Sequence, residues 1–116
     1  MMPRLKIVLF SICLILLILP GPSAAKDPLK EMYLSHKLIE LLQSDNQHLQ
    51  FYTMGYVTGV AYSYDYLAVI CMDQEDIEQK ALAEQVLRYY QENPDQRHRL
   101  SSVVIKNALR QAYPCE

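Results

Sequence analysis

Between Met54 and Met72 the chain reads MGYVTGVAYSYDYLAVICM, a run whose one formal charge is Asp65. A stretch this poor in charge can cross a membrane, pair as a β-strand or form the central helix of a small domain, and each choice gives a different class of protein. The membrane choice fails on content: Thr53, Thr58, Ser63, Asp65 and the five tyrosines between Tyr52 and Tyr66 are poorly suited to hydrocarbon. The strand choice has local support, because Tyr62, Tyr64 and Tyr66 alternate with Ser63 and Asp65, and Leu67 to Ile70 favour β geometry. A lone strand, however, has no partner. Leu49, Tyr52, Tyr56, Val60, Ser63 and Leu67 recur at steps of three or four, which predicts a helix of about five turns. Being apolar or tyrosine-lined nearly all round, that helix is expected to be mostly buried. Gly55 and Gly59, beside Tyr56 and Val60, would let a second backbone approach it closely.

The segment before it has a different character. MMPRLKIVLFSICLILLILPGPSAA has the layout of an export signal: Arg4 and Lys6 at the start, an uncharged run from Ile7 to Leu19, then Pro20, Gly21 and Pro22 ahead of Ser23, Ala24 and Ala25. The apolar run is about 13 residues, shorter than the roughly 20 of a spanning helix, so cleavage after Ala25 is expected. Residues 1–25 are then a signal peptide and 26–116 one domain, with no stable membrane association after cleavage. Cys13 departs with the signal, and Cys71 and Cys115 remain. In an oxidising compartment such a pair is expected as a disulfide, closing a loop of about 45 residues for roughly 4 kcal/mol. A 91-residue remainder of the 116-residue chain has a small core and benefits from such a staple.

Loss of Arg4 and Lys6 changes the balance from 11 basic against 13 acidic residues to nine against 13. That acidity and the export signal argue against nucleic acid as a partner.

Three further helices are predicted. Asp27 can cap a helix starting at Pro28, with Glu31 in its first turn and Leu34, Leu38, Leu41 and Leu42 as its stripe. Ser44, Asp45 and Asn46 end it and cap the central helix. Asp73 can cap a third helix, with Asp76 at the capping-box position and Leu82, Val86, Tyr89 and Tyr90 as its face. Pro94 disfavours helical geometry at Asn93 and stops it. The last helix begins between Arg97 and Ser101 and ends at Ala112, with Leu100, Val104, Ile105, Ala108, Leu109 and Ala112 as its stripe. The expected fold is all-α, a compact four-helix bundle-like domain with one disulfide.

Catalysis needs convergent groups, and these are scarce. His36, His48 and His98 lie in separate segments without a cysteine or carboxylate at ligand spacing, no serine sits in a nucleophile elbow, and phosphate-cradling glycine loops are absent. No cofactor, metal or enzymatic activity is implied. Two or three of the nine tyrosines are expected at the surface, where tyrosine serves interfaces well. Two turns are both constrained and polar: Met72 to Glu75, carrying Asp73 and Glu75, and Glu92 to His98, carrying Glu92, Asp95, Arg97 and His98. Both are candidate partner-binding segments.

The order of these features resembles a known family. Gly55, Tyr56, Val57, Gly59 and Val60 in the central helix, a cysteine about a dozen residues on, Tyr89 and Tyr90 ahead of Pro94, Arg97 and His98, and the terminus Ala108, Leu109, Ala112, Tyr113, Pro114 and Cys115 are similar to the Rap/Tai immunity proteins of type VI secretion systems. The chain departs from that pattern with Ala61 and Tyr62 where an acidic residue follows the Gly-Val, and with Asp73 where a proline follows the first cysteine. The resemblance implies a periplasmic, helical, often homodimeric inhibitor that binds a peptidoglycan amidase effector and occludes its cleft. The alternative is an acid-stress holdase of the HdeA type, which is also small, exported, helical and disulfide-bridged. Such a chaperone should expose apolar surface as acid protonates carboxylates paired in the native state.

Overall fold

The computed structural model describes residues 2–18, 30–73 and 77–116. Helix α1 (Met2–Ile18) takes in most of the N-terminal apolar run, and its described side chains are exposed all round. Among the described residues no helix is long and apolar enough to cross a membrane. The Ala25 cleavage point lies outside them.

The bundle is built from α2 (Ser35–Leu42), α3 (Gln47–Tyr66), α4 (Gln79–Glu92) and α5 (Ser101–Ala112), with a 3₁₀ turn at Pro94–His98. Every regular element among the described residues is helical, as the apolar periodicities predict, and the expected disulfide is present. α3 sits centrally and packs on α2, α4 and α5, while α4 also packs on α5. Leu38 and Leu42 from α2, Val57 and Ala61 from α3, Leu82, Val86 and Tyr90 from α4, and Val104, Ile105 and Leu109 from α5 make one core.

Two helix starts differ from expectation. α2 begins at Ser35, not near Pro28; its N-cap is Leu34, with no side-chain cap, and Glu31 lies in the preceding turn. The reason is tertiary. Leu34 makes an antiparallel bridge with Leu100, and the Ser101 amide donates to the Tyr33 carbonyl at 2.8 Å, so residues 33–34 are held extended against the entry to α5. Asp27 and Pro28 lie outside the described residues. α4 likewise starts at Gln79 with Glu78 as an N-cap that makes no side-chain hydrogen bond, so Asp73 does not cap it; Asp76 is outside the described residues. The Asn46 cap forms as predicted, with Oδ1 accepting from the His48 and Leu49 amides at 3.0 and 3.4 Å.

The exit from α3 carries more tertiary consequence. The Val69 amide donates to the Tyr64 carbonyl at 2.9 Å and the Ala68 amide to the Asp65 carbonyl at 3.0 Å, the paired bonds of a Schellman motif. The residue in its left-handed position is Ala68, at φ 57°. This reversal places Ile70 fully in the core and brings the Cys71 amide to the Tyr113 carbonyl at 2.9 Å. Cys71 and Cys115 are there bonded, Cα to Cα 5.0 Å, which ties the C-terminus to the end of α3.

Candidate functional site

Proline at the first position of the 3₁₀ turn fixes its entry, and the Asn93 side chain closes the preceding helix by donating from Nδ2 to the Tyr89 carbonyl at 3.0 Å. The turn packs on α2 and α4. Its footing is a buried polar chain: the Tyr90 hydroxyl donates to Ser35 Oγ at 2.6 Å, and Ser35 Oγ donates to the Arg99 carbonyl at 2.6 Å. A parallel chain runs alongside. Tyr56 Oη lies 3.1 Å from Ser101 Oγ, which donates to the Met32 carbonyl at 2.7 Å. Burial pushes the Tyr90 phenol up to about 12, against the Ser35 hydrogen bond, which lowers it, and with a smaller upward contribution from Tyr56. At neutral pH Tyr90 is therefore an uncharged structural donor.

Above this footing Glu92, Asp95, Arg97 and His98 are all exposed, at one end of α4. Gln96 turns partly inward; its Nε2 donates to Asp95 Oδ2 at 3.2 Å, and its Oε1 is buried without a hydrogen-bond partner. The ion pairs among the described residues, Lys37–Glu40 and Lys80–Glu84, each lie within a single helix elsewhere. The charges on the turn thus have no ion-pair partner among those residues, and the backbone that carries them is held from below. Asp73 is also exposed and precedes the start of α4, whereas the turn follows its end. Glu75 lies outside the described residues.

His36, His48 and His98 are exposed, and among the described residues no group of three His, Cys, Asp or Glu side chains is placed to hold a metal.

The expectation for α3 needs correction. Its buried residues are Thr53, Val57 and Ala61, while Tyr52 (67 % exposed), Ser63 and Leu67 from the predicted stripe face outward. Tyr56 and Val60 are half-buried against the core. Gly55 and Gly59 are exposed, and a Cβ built on either meets nothing within 4 Å, so neither serves a close contact inside the chain. On the same side lie Phe51 (61 %), Tyr62 (50 %) and Tyr66 (90 %), and a groove of about 450 Å³ is lined by His48, Phe51, Tyr52, Gly55 and Gln79. With Tyr33, four tyrosines are exposed, more than the two or three expected. The missed signal is a second stripe, His48, Phe51, Tyr52, Gly55, Gly59, Tyr62 and Tyr66, also at helical spacing and opposite Val57. Leu100 and Ala112, at the ends of the α5 stripe, are exposed as well.

The family model of the Rap1a immunity proteins matches residues 30–115. No curated protein and no solved structure matches the chain.

Proposed function

The chain belongs to the Rap1a immunity protein family, and from that premise we propose that it is exported to the periplasm, with residues 1–25 removed, and there binds and inhibits a peptidoglycan amidase effector of a type VI secretion system. The observation that carries this is the family match, which runs from the first described turn of the bundle to the disulfide at its C-terminus. The protein acts by occupying the amidase cleft and carries out no chemistry itself. A turn already held by Pro94 and the Tyr90–Ser35 chain loses little conformational entropy on binding, and Glu92, Asp95, Arg97 and His98 offer charge with no ion pair among the described residues to break.

Periplasmic co-expression should rescue cells from the cognate hydrolase, and the purified pair should form a stoichiometric complex without substrate turnover by the immunity partner. The double substitution Asp95→Ala and Arg97→Ala should leave folding stability within about 0.5 kcal/mol. It should weaken hydrolase affinity by at least about 2 kcal/mol, roughly thirtyfold. Full affinity in that variant would transfer the contact to the segment of Asp73 and Glu75, and absence of any complex or rescue would remove the amidase reading.

The holdase alternative gains no support. It needs carboxylates paired across packed elements as an acid trigger, whereas the described ion pairs are exposed and local to one helix each.

A further inference from the structure

Two helices begin side by side on leucines. Leu34 is the N-cap of α2 and Leu100 the N-cap of α5, neither offers a side-chain cap, and an antiparallel bridge joins their extended backbones. Serine, threonine, aspartate or asparagine suits that position better, because a side-chain oxygen there satisfies a free amide of the first turn. The leucines therefore serve something other than the helix starts. Residues opposite each other in an antiparallel pair send their side chains to one face with Cβ atoms about 5 Å apart, so Leu34 and Leu100 make one apolar spot. Leu34 is half-buried, Leu100 is 54 % exposed and the neighbouring Tyr33 is 53 % exposed. None of the three belongs to the core or to the half-buried residues packed on it.

The spot stands on a rigid base. Ser35 Oγ donates to the Arg99 carbonyl at 2.6 Å and Ser101 Oγ to the Met32 carbonyl at 2.7 Å, so each segment holds the other on either side of the Leu34–Leu100 bridge. Tyr90 and Tyr56 reach the same two serines, both buried, from the interior. Little freedom remains there to be lost on binding. Arg99 joins the spot to the 3₁₀ turn, and Arg97 and Arg99 are exposed and make no ion pair among the described residues.

Given the amidase reading, on which this rests, we propose that Tyr33, Leu34 and Leu100 are the apolar anchor of the contact with the hydrolase, which offers there an apolar depression bordered by carboxylates for Arg97 and Arg99. An interface takes most of its affinity from a few large side chains desolvated at its centre, while charges at its rim set association rate and partner choice. The polar turn alone is all rim. Two other occupants fit less well. A two-fold contact centred on Leu100 would set Arg99 of one copy against Arg99 of the other, and an anionic membrane would meet Glu92 and Asp95, whose charge offsets the two arginines.

Affinity for the purified amidase whose toxicity the wild type relieves should fall at least about thirtyfold in the double variant Tyr33→Ala and Leu100→Ser. Serine is a preferred N-cap, so Leu100→Ser alone should keep its helical content and melt at the same temperature or higher. Leu100→Met conserves volume and apolarity and should bind nearly as tightly as the wild type. Arg99→Gln should slow association and weaken its dependence on salt. Wild-type affinity in the double variant, or equal losses in Leu100→Ser and Leu100→Met, overturns the proposal and leaves the amidase reading standing. No complex with the wild type removes that reading and the anchor with it. An association rate indifferent to Arg99→Gln overturns the acidic border. A wild type that dimerises, or floats with anionic vesicles, and loses that behaviour in Leu100→Ser overturns the proposal in favour of a second copy or a membrane.

Discussion

α4 and α3 are neighbours in one bundle, yet they divide their surfaces in opposite ways. On α4 the large residues Leu82, Val86, Tyr89 and Tyr90 point inward, and Lys80, Glu84, Arg88 and Glu92 point to water. On α3 the inward residues are the small Thr53, Val57 and Ala61, and the outward ones include Phe51, Tyr52, Tyr62 and Tyr66. Crowding explains the inner half of this inversion. α3 is pressed by three helices, so small side chains fit between them, and Thr53 hides its hydroxyl by donating to the Leu49 carbonyl at 2.6 Å. The outer half has no explanation within one protomer. Charge on a helix's outer face marks it as wetted, whereas aromatic residues there leave a surface still to be covered.

The comparison predicts its largest contrast in truncation. Leu82→Ala, at a site with no exposure, should lower the unfolding free energy by about 2–5 kcal/mol. Tyr66→Ser, at a site 90 % exposed, should change it by no more than about 0.5 kcal/mol. Denaturant titration of the two variants checks this. Equal losses would mean that Tyr66 is covered within the protomer and that the two faces of α3 are not distinct.

A smaller effect tests how α4 differs from α3 in its polar groups. Tyr90 gives up its hydroxyl to Ser35 in the interior, so Ser35→Ala leaves that hydroxyl and the Arg99 carbonyl without their partner and should cost about 1–3 kcal/mol. The pH dependence has a definite sign. With the folded phenol at about 12 and the unfolded one at 10.0, the folded state retains a proton that the unfolded state has released. Stability is whole below pH 10 and falls as pH rises toward 12, by roughly 2–3 kcal/mol for this one group. Tyr90→Phe should remove that portion of the alkaline slope. An unchanged slope in the variant would show that other groups set the alkaline limit.

What could be read from the sequence follows the same division. The faces of α4 and α5 were legible because charged residues interrupt the apolar ones, so Leu82, Val86, Tyr90, Val104, Ile105 and Leu109 could be placed inside. α3 was legible as a helix but not in its rotation, because stripes on both sides satisfy the same period. The disulfide followed from the cysteine number and the compartment that the export signal led us to expect. The start of α2 was misplaced because a local cap signal can be overridden by pairing such as Leu34 with Leu100, and that pairing has no local signature. The polar turn at Glu92 to His98 could be located from Pro94, but its footing on Ser35 joins positions 55 apart in sequence from Tyr90 and becomes visible once the chain is folded.

The smallest effect concerns the point where α3 leaves its aromatic face and turns back to the core. Ala68 occupies the left-handed position of the Schellman motif at φ 57°, where the Cβ of an L-residue crowds the following carbonyl at a cost of about 1–2 kcal/mol. Its side chain is exposed, so removing it forfeits little packing. Glycine relieves the crowding but starts from a more disordered unfolded chain, which offsets roughly 0.5–1 kcal/mol of the gain. Ala68→Gly should therefore raise the unfolding free energy by about 0.5–1 kcal/mol, with the Cys71–Cys115 bond intact by mass under non-reducing conditions. A loss of stability instead would mean that residue 68 is not left-handed in the native protein. Ile70 would then no longer be delivered to the core by this turn, and the boundary between the covered and uncovered parts of α3 would have to be redrawn.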